Sequence, residues 1–446
     1  MMYLLGVLFI VLGVGASIAL HELGHLLPAK RFGLKVNQYM IGFGPTVWSR
    51  RRGETEYGLK AIPLGGYIRM IGMFPPKPGA DPSQLRSSST GRFSQLMDQA
   101  RQDSMEEVRP GDEDRVFYKL SVPKKLVIML GGPTMNLLIA VMLLTGVATT
   151  YGMRELTPQI SSVSQCVTVQ TVGATAPVAC KAGDPVAPAN KAGIRPGDRI
   201  LSIGGTRVST WDQVRAVVRP NGDRTLPVVV ERNGKRLALS ATPIFTNVPM
   251  VDDQGKPVLD AAGKVRTERV GFMGFSPSLE LVRQPVTAVP GIVGTAVGQT
   301  AGVILRIPQK MVGIAQAAFG SGPRDQNGPM SVVGVGRVAG EVADGQIAGL
   351  AGDGVSKFVT LLMLIASLNL ALFVFNLIPL LPLDGGHAAG ALWEGLKRRI
   401  ARLRGRPNPG YVDVAKALPI AYAMSITLIA MSVLLIYADI VNPIKL

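Results

Sequence analysis

Histidine is nearly absent from this chain. There are three in 446 residues, and all three fall in two short motifs. Cysteine is scarcer still: there are two, neither beside a His or another Cys at metal-ligand spacing, which excludes a cysteine-built metal cluster. Positive charge is missing from the opening apolar run, Met2–Leu20, and first appears at Lys30 and Arg31. A secretory leader carries its basic residues ahead of its apolar core and ends in a small-residue cleavage site. Neither is found here, so the run reads as a retained span. No internal repeat is visible, which argues against the repeat-built architecture of many secondary transporters.

What the chain has in quantity is apolar sequence gathered in blocks. Apolar residues make up 47% of it, and the mean hydropathy is +0.28. Four blocks are close to twenty residues long with almost no charge: Met2–Leu20, Leu126–Thr149, Phe358–Leu381 and Ala417–Ile440. A hydrocarbon core of roughly 30 Å needs a helix of about that length, so each predicts a transmembrane helix. A further stretch, Val286–Leu305, is uncharged but rich in Gly, Thr and Ala and carries Pro290 and Gln299. A crossing there would move the following motif to the other membrane face. It is expected instead to be a helix packed on the outer domain or lying at the interface.

Orientation follows from Lys and Arg near the span ends. Lys30, Arg31, Lys35 and Arg50–Arg52 follow the first span, Lys119, Lys124 and Lys125 precede the second, and the run Leu396–Arg406 separates the last two. These loops read as cytoplasmic, and the long segment from about Tyr151 to Lys357 as external. The formal net charge of +17 comes partly from these loops. Because they flank spans, anionic membrane lipids are the expected partners and nucleic acid is not. Cys166 and Cys180 both lie in the external segment, and an even pair in an oxidising compartment predicts a disulfide.

Chemistry enters at the end of the first span, where the sequence reads HELGH. His21 and His25 are four apart, so on a helix they point the same way and can share one metal ion. Glu22 points aside, where it can reach a water on that metal. This is the metalloprotease arrangement, with two His ligands and Glu as general base. A catalytic zinc site needs a third protein ligand. The third span ends NLIPLLPLDGGH, and Asp384 then lies at the same membrane face as His25. Pro379 and Pro382 break the helix before Asp384, and Gly385 and Gly386 predict a sharp turn after it. Asp384 is therefore expected as the third ligand and His387 as a nearby polar partner. Two His and a carboxylate also suit non-haem iron; the adjacent Glu base favours zinc.

Asn369 and Asn376 lie two helical turns apart in the third span. An amide in an apolar helix needs a partner, either another helix or a substrate backbone. Both are expected substrate-binding residues.

Together these motifs resemble the site-2 protease family of intramembrane zinc metalloproteases. The blocks IGFGPTVW, AIPLGGYIRM, GGPTMN and NGPMSVVG are similar to family blocks in the same order. The resemblance is to bacterial regulator of sigma-E proteases, of a single-PDZ, actinobacterial-like type. It implies regulated intramembrane proteolysis, with Zn2+ held by His21, His25 and Asp384 and Glu22 as base. Substrates would be transmembrane proteins such as anti-sigma factors, or signal-peptide remnants. The alternative is a catalytically inactive scaffold that binds peptides through its outer domain.

The expected fold class is an α-helical polytopic membrane protein. It has four transmembrane helices, a membrane-associated β-loop and an extracytoplasmic PDZ-like β-rich domain. The first helix with HELGH occupies residues 1–30, the cytoplasmic β-loop 31–75 and a Pro- and charge-rich insertion 76–123. The second helix follows at 124–150, the PDZ-like domain at 157–246 and a post-PDZ segment with an amphipathic helix at 247–356. The third helix with LDGG covers 357–387, the basic loop 388–414 and the fourth helix 415–441. Within the β-loop, Gly65, Gly66 and Tyr67 are expected to hold an extended substrate by strand addition. In the PDZ-like region, Pro196-Gly197-Asp198 predicts one turn and Asn233-Gly234 a hairpin turn.

Overall fold

The computed structural model of the chain describes residues 1–76, 92–167, 180, 184–250, 258–260, 263–320, 324–325, 328–346 and 354–444. Most of the insertion's Pro-rich first half lies outside them. The chain forms two compact units, Met1–Val147 with Pro285–Leu446, and Ala148–Gln284.

The first unit opens with α1 (Met2–Arg31), which runs unbroken through HELGH. Strands β1 (Val36–Arg52) and β2 (Thr55–Met70) follow, then α2 (Arg92–Glu106) within the insertion and α3 (Val122–Gly146). β1 and β2 are kinked by repeated register shifts. Residues 36–41 are partners of 66–70 and also of 56–59, while 46–52 pair with 55–60. Gly42 and Gly65, both at positive φ, sit at these breaks, where a side chain would strike Ile62 or the Phe43 ring. α1 and α3 cross at glycine. A Cβ on Gly24 would lie 2.4 Å from the Gly131 carbonyl oxygen, so only bare backbone permits the approach.

The second unit comprises β3 (Met153–Val163), α4 (Pro188–Lys191), β4 (Arg199–Ile203), β5 (Thr206–Arg207), α5 (Trp211–Val218), β6 (Leu226–Arg232), β7 (Lys235–Ala241), β8 (Ile244–Pro249), β9 (Thr267–Phe272) and β10 (Phe275–Val282). Its main antiparallel sheet runs β10-β3-β4-β6-β7, with β5 on β4, and β8 pairs β9 separately. Ile200, Ile203, Val228 and Val230 are fully buried; Val228 and Val230 alternate along β6 as a one-sided sheet requires, and a register shift in β4 turns Ile203 to the same core as Ile200. Asn233 and Gly234 both take positive φ in the turn between β6 and β7, as the sequence predicts. The Cys166–Cys180 disulfide is formed. The unit is wider than the 157–246 segment, because β10 pairs the full length of β3. Its two ends meet, with the Gln284 N–H donating to the Ala148 carbonyl at 2.8 Å.

Back in the first unit come α6 (Val289–Leu305), α7 (Ile307–Phe319), α8 (Val332–Asp344), α9 (Gly354–Asn376), α10 (Asp384–Leu403) and α11 (Leu418–Val441). Among the described residues five stretches are long and apolar enough to cross a membrane: Met2–Arg31, Val122–Tyr151, Val286–Leu305, Gly354–Asn376 and Val414–Val441. The third of these contains α6, whose Val293, Ala296 and Val297 lie against Ala140 and Leu144 of α3 and Ala366 and Leu370 of α9. Small residues on all three helices allow that approach.

One correction concerns Gly385 and Gly386. They do not turn the chain after Asp384 but form the first turn of α10. A Cβ on Gly385 would lie 2.3 Å from the Ile378 carbonyl oxygen, and one on Gly386 would lie 2.5 Å from the Leu381 nitrogen. The glycines are needed because the helix starts pressed against the broken segment before it.

Candidate metal centre and catalytic site

α1 delivers His21 and His25 to one face, one turn apart, and α10 delivers Asp384 at its first residue. His21 Nε2 and His25 Nε2 are 3.2 Å apart, and each lies 3.3 Å from Asp384 Oδ2. Two donors on a tetrahedral zinc, at bond lengths of about 2.0–2.1 Å, are separated by about 3.3–3.4 Å. The triangle has that size.

Protons decide what the triangle is for. His25 Nδ1 is 2.7 Å from the Ile128 carbonyl oxygen. A carbonyl only accepts, so Nδ1 carries the hydrogen and the neutral ring turns a lone pair on Nε2 toward the cluster. His21 Nδ1 lies 3.1 Å from the Asn136 amide. With the amide oxygen in that position, His21 also donates from Nδ1, and Asn136 Oδ1, buried without a partner in the opposite orientation, is satisfied. Two imidazole lone pairs and a buried carboxylate oxygen that receives no hydrogen bond then converge on one point. Such an arrangement of acceptors calls for a cation. The floor beneath it is Gly132 of α3, where a Cβ would come within 2.2 Å of His25 Nε2 and 2.7 Å of His21 Nε2.

Glu22 is 8% exposed and lies beside the β-sheet, where a Cβ on Gly66 would come within 2.9 Å of its Cγ. The sheet is tied to α1 there by the Tyr39 hydroxyl, which donates to the Ala19 carbonyl at 2.7 Å. Gly66 and Tyr67 pair with Ile41 and Met40, and Tyr67 stacks on Phe43. Among the described residues no other strand pairs the far edge of 66–70.

The remaining expected site residues separate. Asn376 ends α9 half-buried, next to the chain break. Asn369 is 1% exposed, and its amide donates to Ser17 Oγ and to the Ile365 carbonyl, both at 2.9 Å. It holds α9 to α1 rather than facing an open surface. His387 is outside the ligand triangle and lines a small cavity with Lys125 and Glu394. Two residues that sequence reasoning left without a role, Gly132 and Asn136, stand directly against the histidines. Their signal was present in GGPTMN, because an Asn in an apolar helix needs a partner and glycine marks a close approach.

The sequence matches peptidase family M50 over residues 9–419. The chain belongs to this family. It is 34% identical to the zinc metalloprotease Rip1 of Mycobacterium tuberculosis, and the match covers 100% of both chains. To the zinc metalloprotease Rip1 of Mycolicibacterium smegmatis it is 32% identical, again over 100% of each. Family membership and the several apolar helices make this a multi-pass membrane metalloprotease. Among the described residues, His21, His25 and Asp384 form the cluster that could hold a metal ion.

Proposed function

We propose that the protein is an intramembrane zinc endopeptidase that cuts transmembrane segments of single-span proteins already trimmed elsewhere, such as anti-sigma factors or signal-peptide remnants. The observation that carries this is the convergence of two imidazole lone pairs and a carboxylate at the end of an apolar helix. His21, His25 and Asp384 would hold the zinc. When bound, zinc polarises the scissile carbonyl and makes a water more acidic. Glu22 accepts the proton of the attacking water and passes it to the leaving amine. The substrate must be unwound to be cut. The free edge beginning at Gly66 supports strand capture next to Glu22, with Tyr67 and Gly65 shaping the approach and Asn376 on the opposite side.

Four crossings are the reading that the site favours. α1 and α9 both run toward the ligand cluster and therefore cross in the same direction, so the chain between α3 and α9 crosses an even number of times. A full crossing by α6 would need a full return. α7 and α8 have 13 residues each, about 20 Å of helix against roughly 30 Å of hydrocarbon. With the basic loops inside, the metal lies near the cytoplasmic face of the cell membrane, the β-rich unit is external, and anionic lipids meet Arg50–Arg52. The external unit, read as PDZ-like, is inserted between α3 and the later helices and would exclude untrimmed substrates by size.

The test uses purified full-length protein and a transmembrane peptide substrate with no external domain. Zinc-dependent cleavage within the apolar segment is expected. A zinc-loaded, folded protein that leaves such peptides intact would favour the inactive scaffold.

A further inference from the structure

The three ligand atoms sit on two separately held pieces. His21 and His25 belong to α1 and are oriented by α3, through the Ile128 carbonyl, Gly132 and Asn136. Asp384 belongs to α10 and follows a break in the chain, so nothing local fixes it against α3. What joins α10 to α3 is a seam. On α3, Lys125, Ile128, Gly132 and Asn136 recur at helical spacing on one face. On α10, the buried Ala388 and Ala391 lie between Asp384 and Glu394. At one end the seam closes in the ligand cluster. At the other it closes in a buried ion pair, with Lys125 Nζ 2.9 and 3.1 Å from the two oxygens of Glu394. Their side chains are 5% and 3% exposed.

That carboxylate is held from several sides. Arg398 pairs with it at 2.8 Å, and the Val412 N–H donates to it at 3.2 Å. Lys125 and Arg398 both lie over the Tyr411 ring, at 5.4 and 5.3 Å from its centre. A buried ion pair is a poor source of net stability, since desolvation offsets the attraction. Its directional strength is in geometry. Ten residues of helix carry Glu394 about 15 Å from Asp384, too far to touch the metal but rigidly connected to its third ligand.

We propose that Lys125–Glu394 is a positioning pair: it fixes the rotation and height of α10 on α3, and so places the Asp384 oxygen against His21 and His25. This rests on the zinc-ligand reading above. The test is zinc affinity, measured by chelator competition on full-length protein in lipid nanodiscs. Glu394→Gln and Lys125→Met should each weaken zinc binding about 10-fold or more, the size of outer-shell effects. In an Asp384→Ala background, Glu394→Gln should weaken it no further. Folded single variants that bind zinc like the parent would overturn the proposal. So would an equal loss from Glu394→Gln with Asp384 already removed, because the pair would then act on the fold at large. If the single variants do not fold, the apolar double variant Lys125→Met/Glu394→Met replaces them, and parental affinity in that protein has the same meaning. Unchanged affinity in Asp384→Ala alone would instead remove Asp384 as a ligand, which separates failure of the underlying reading from failure of the pair.

Discussion

Gly132 shows how a single hydrogen in place of a methyl shapes the candidate centre. A Cβ there would come within 2.2 Å of His25 Nε2, and nothing on α3 can retreat without moving the Ile128 carbonyl that orients the same ring. Gly132→Ala should therefore yield a folded protein with strongly reduced zinc content, measured by elemental analysis after purification. Normal zinc in that variant would mean that the rings sit elsewhere in the working enzyme. Glu22→Gln tests the other half of the chemistry. It keeps the size and the contact with Gly66 but loses the base, so cleavage should fall by roughly 10²–10⁴ while zinc stays bound. Single-turnover assays with metal quantification would show both. Cleavage at the parental rate would take Glu22 out of the mechanism.

At the scale of elements, the strands that carry the β-rich unit's core are held by a buried carboxylate. Asp198, at the entry to β4, accepts the Arg195 N–H at 2.8 Å and two bonds of 2.7 Å from Arg232 on β6. Burial alone would raise its pKa, but the Arg232 guanidinium and the Arg195 amide outweigh burial and hold it below the ordinary carboxylate value. A depressed folded pKa adds stability that is fully present above the unfolded value of about 4 and is lost as pH falls through the folded one. Unfolding of this unit, followed by near-UV circular dichroism, should become easier on acidification below about pH 4. Asp198→Asn should cost about 1.5–3 kcal/mol at neutral pH and flatten that acid dependence. An unchanged acid profile in the variant would assign the dependence to other carboxylates. The helical elements carry a different lesson. Asn369 and Asn376 look alike in sequence, yet one joins two helices and the other ends at the chain break. Periodicity places both on one face of α9 but cannot say what that face meets.

For the whole molecule, the adjacent ends of the β-rich unit matter most. Since Gln284 hydrogen-bonds Ala148, the unit is an insertion that a short Gly/Ser linker can replace. Deleting residues 157–246 alone would instead remove most of β3 and leave β10 with only Met153–Leu156 to pair with. Excision of the unit should let untrimmed substrate be cleaved while trimmed substrate is cut as before. Paired assays with substrates that carry or lack a folded external domain would show this. Loss of cleavage of both, in a protein that still folds and binds zinc, would make the unit a recruiting or structural element and end the size-gate reading.

Much was legible in the sequence because it depends on local rules. Helical spacing places His21 and His25 on one face, apolar length marks the helices, and the Asn233-Gly234 pair calls a hairpin turn. The ligand role expected of Asp384 needed only the end of a span and a chain break. Other features depend on residues far apart in sequence meeting in space. Gly132 and Asn136 acquire their places only when α3 crosses α1 at glycine. Val286–Leu305 is apolar enough for several environments, and its packing against α3 and α9 was decided by small residues on helices separated from it in sequence. Gly385 and Gly386 read as a turn because glycine permits one. The structure uses their missing side chains for close backbone contact, and composition does not distinguish those two uses. Lys125 and Glu394, 269 positions apart, show the same limit. Each is an ordinary charged residue near a span until the tertiary fold removes water from both and leaves each as the other's partner.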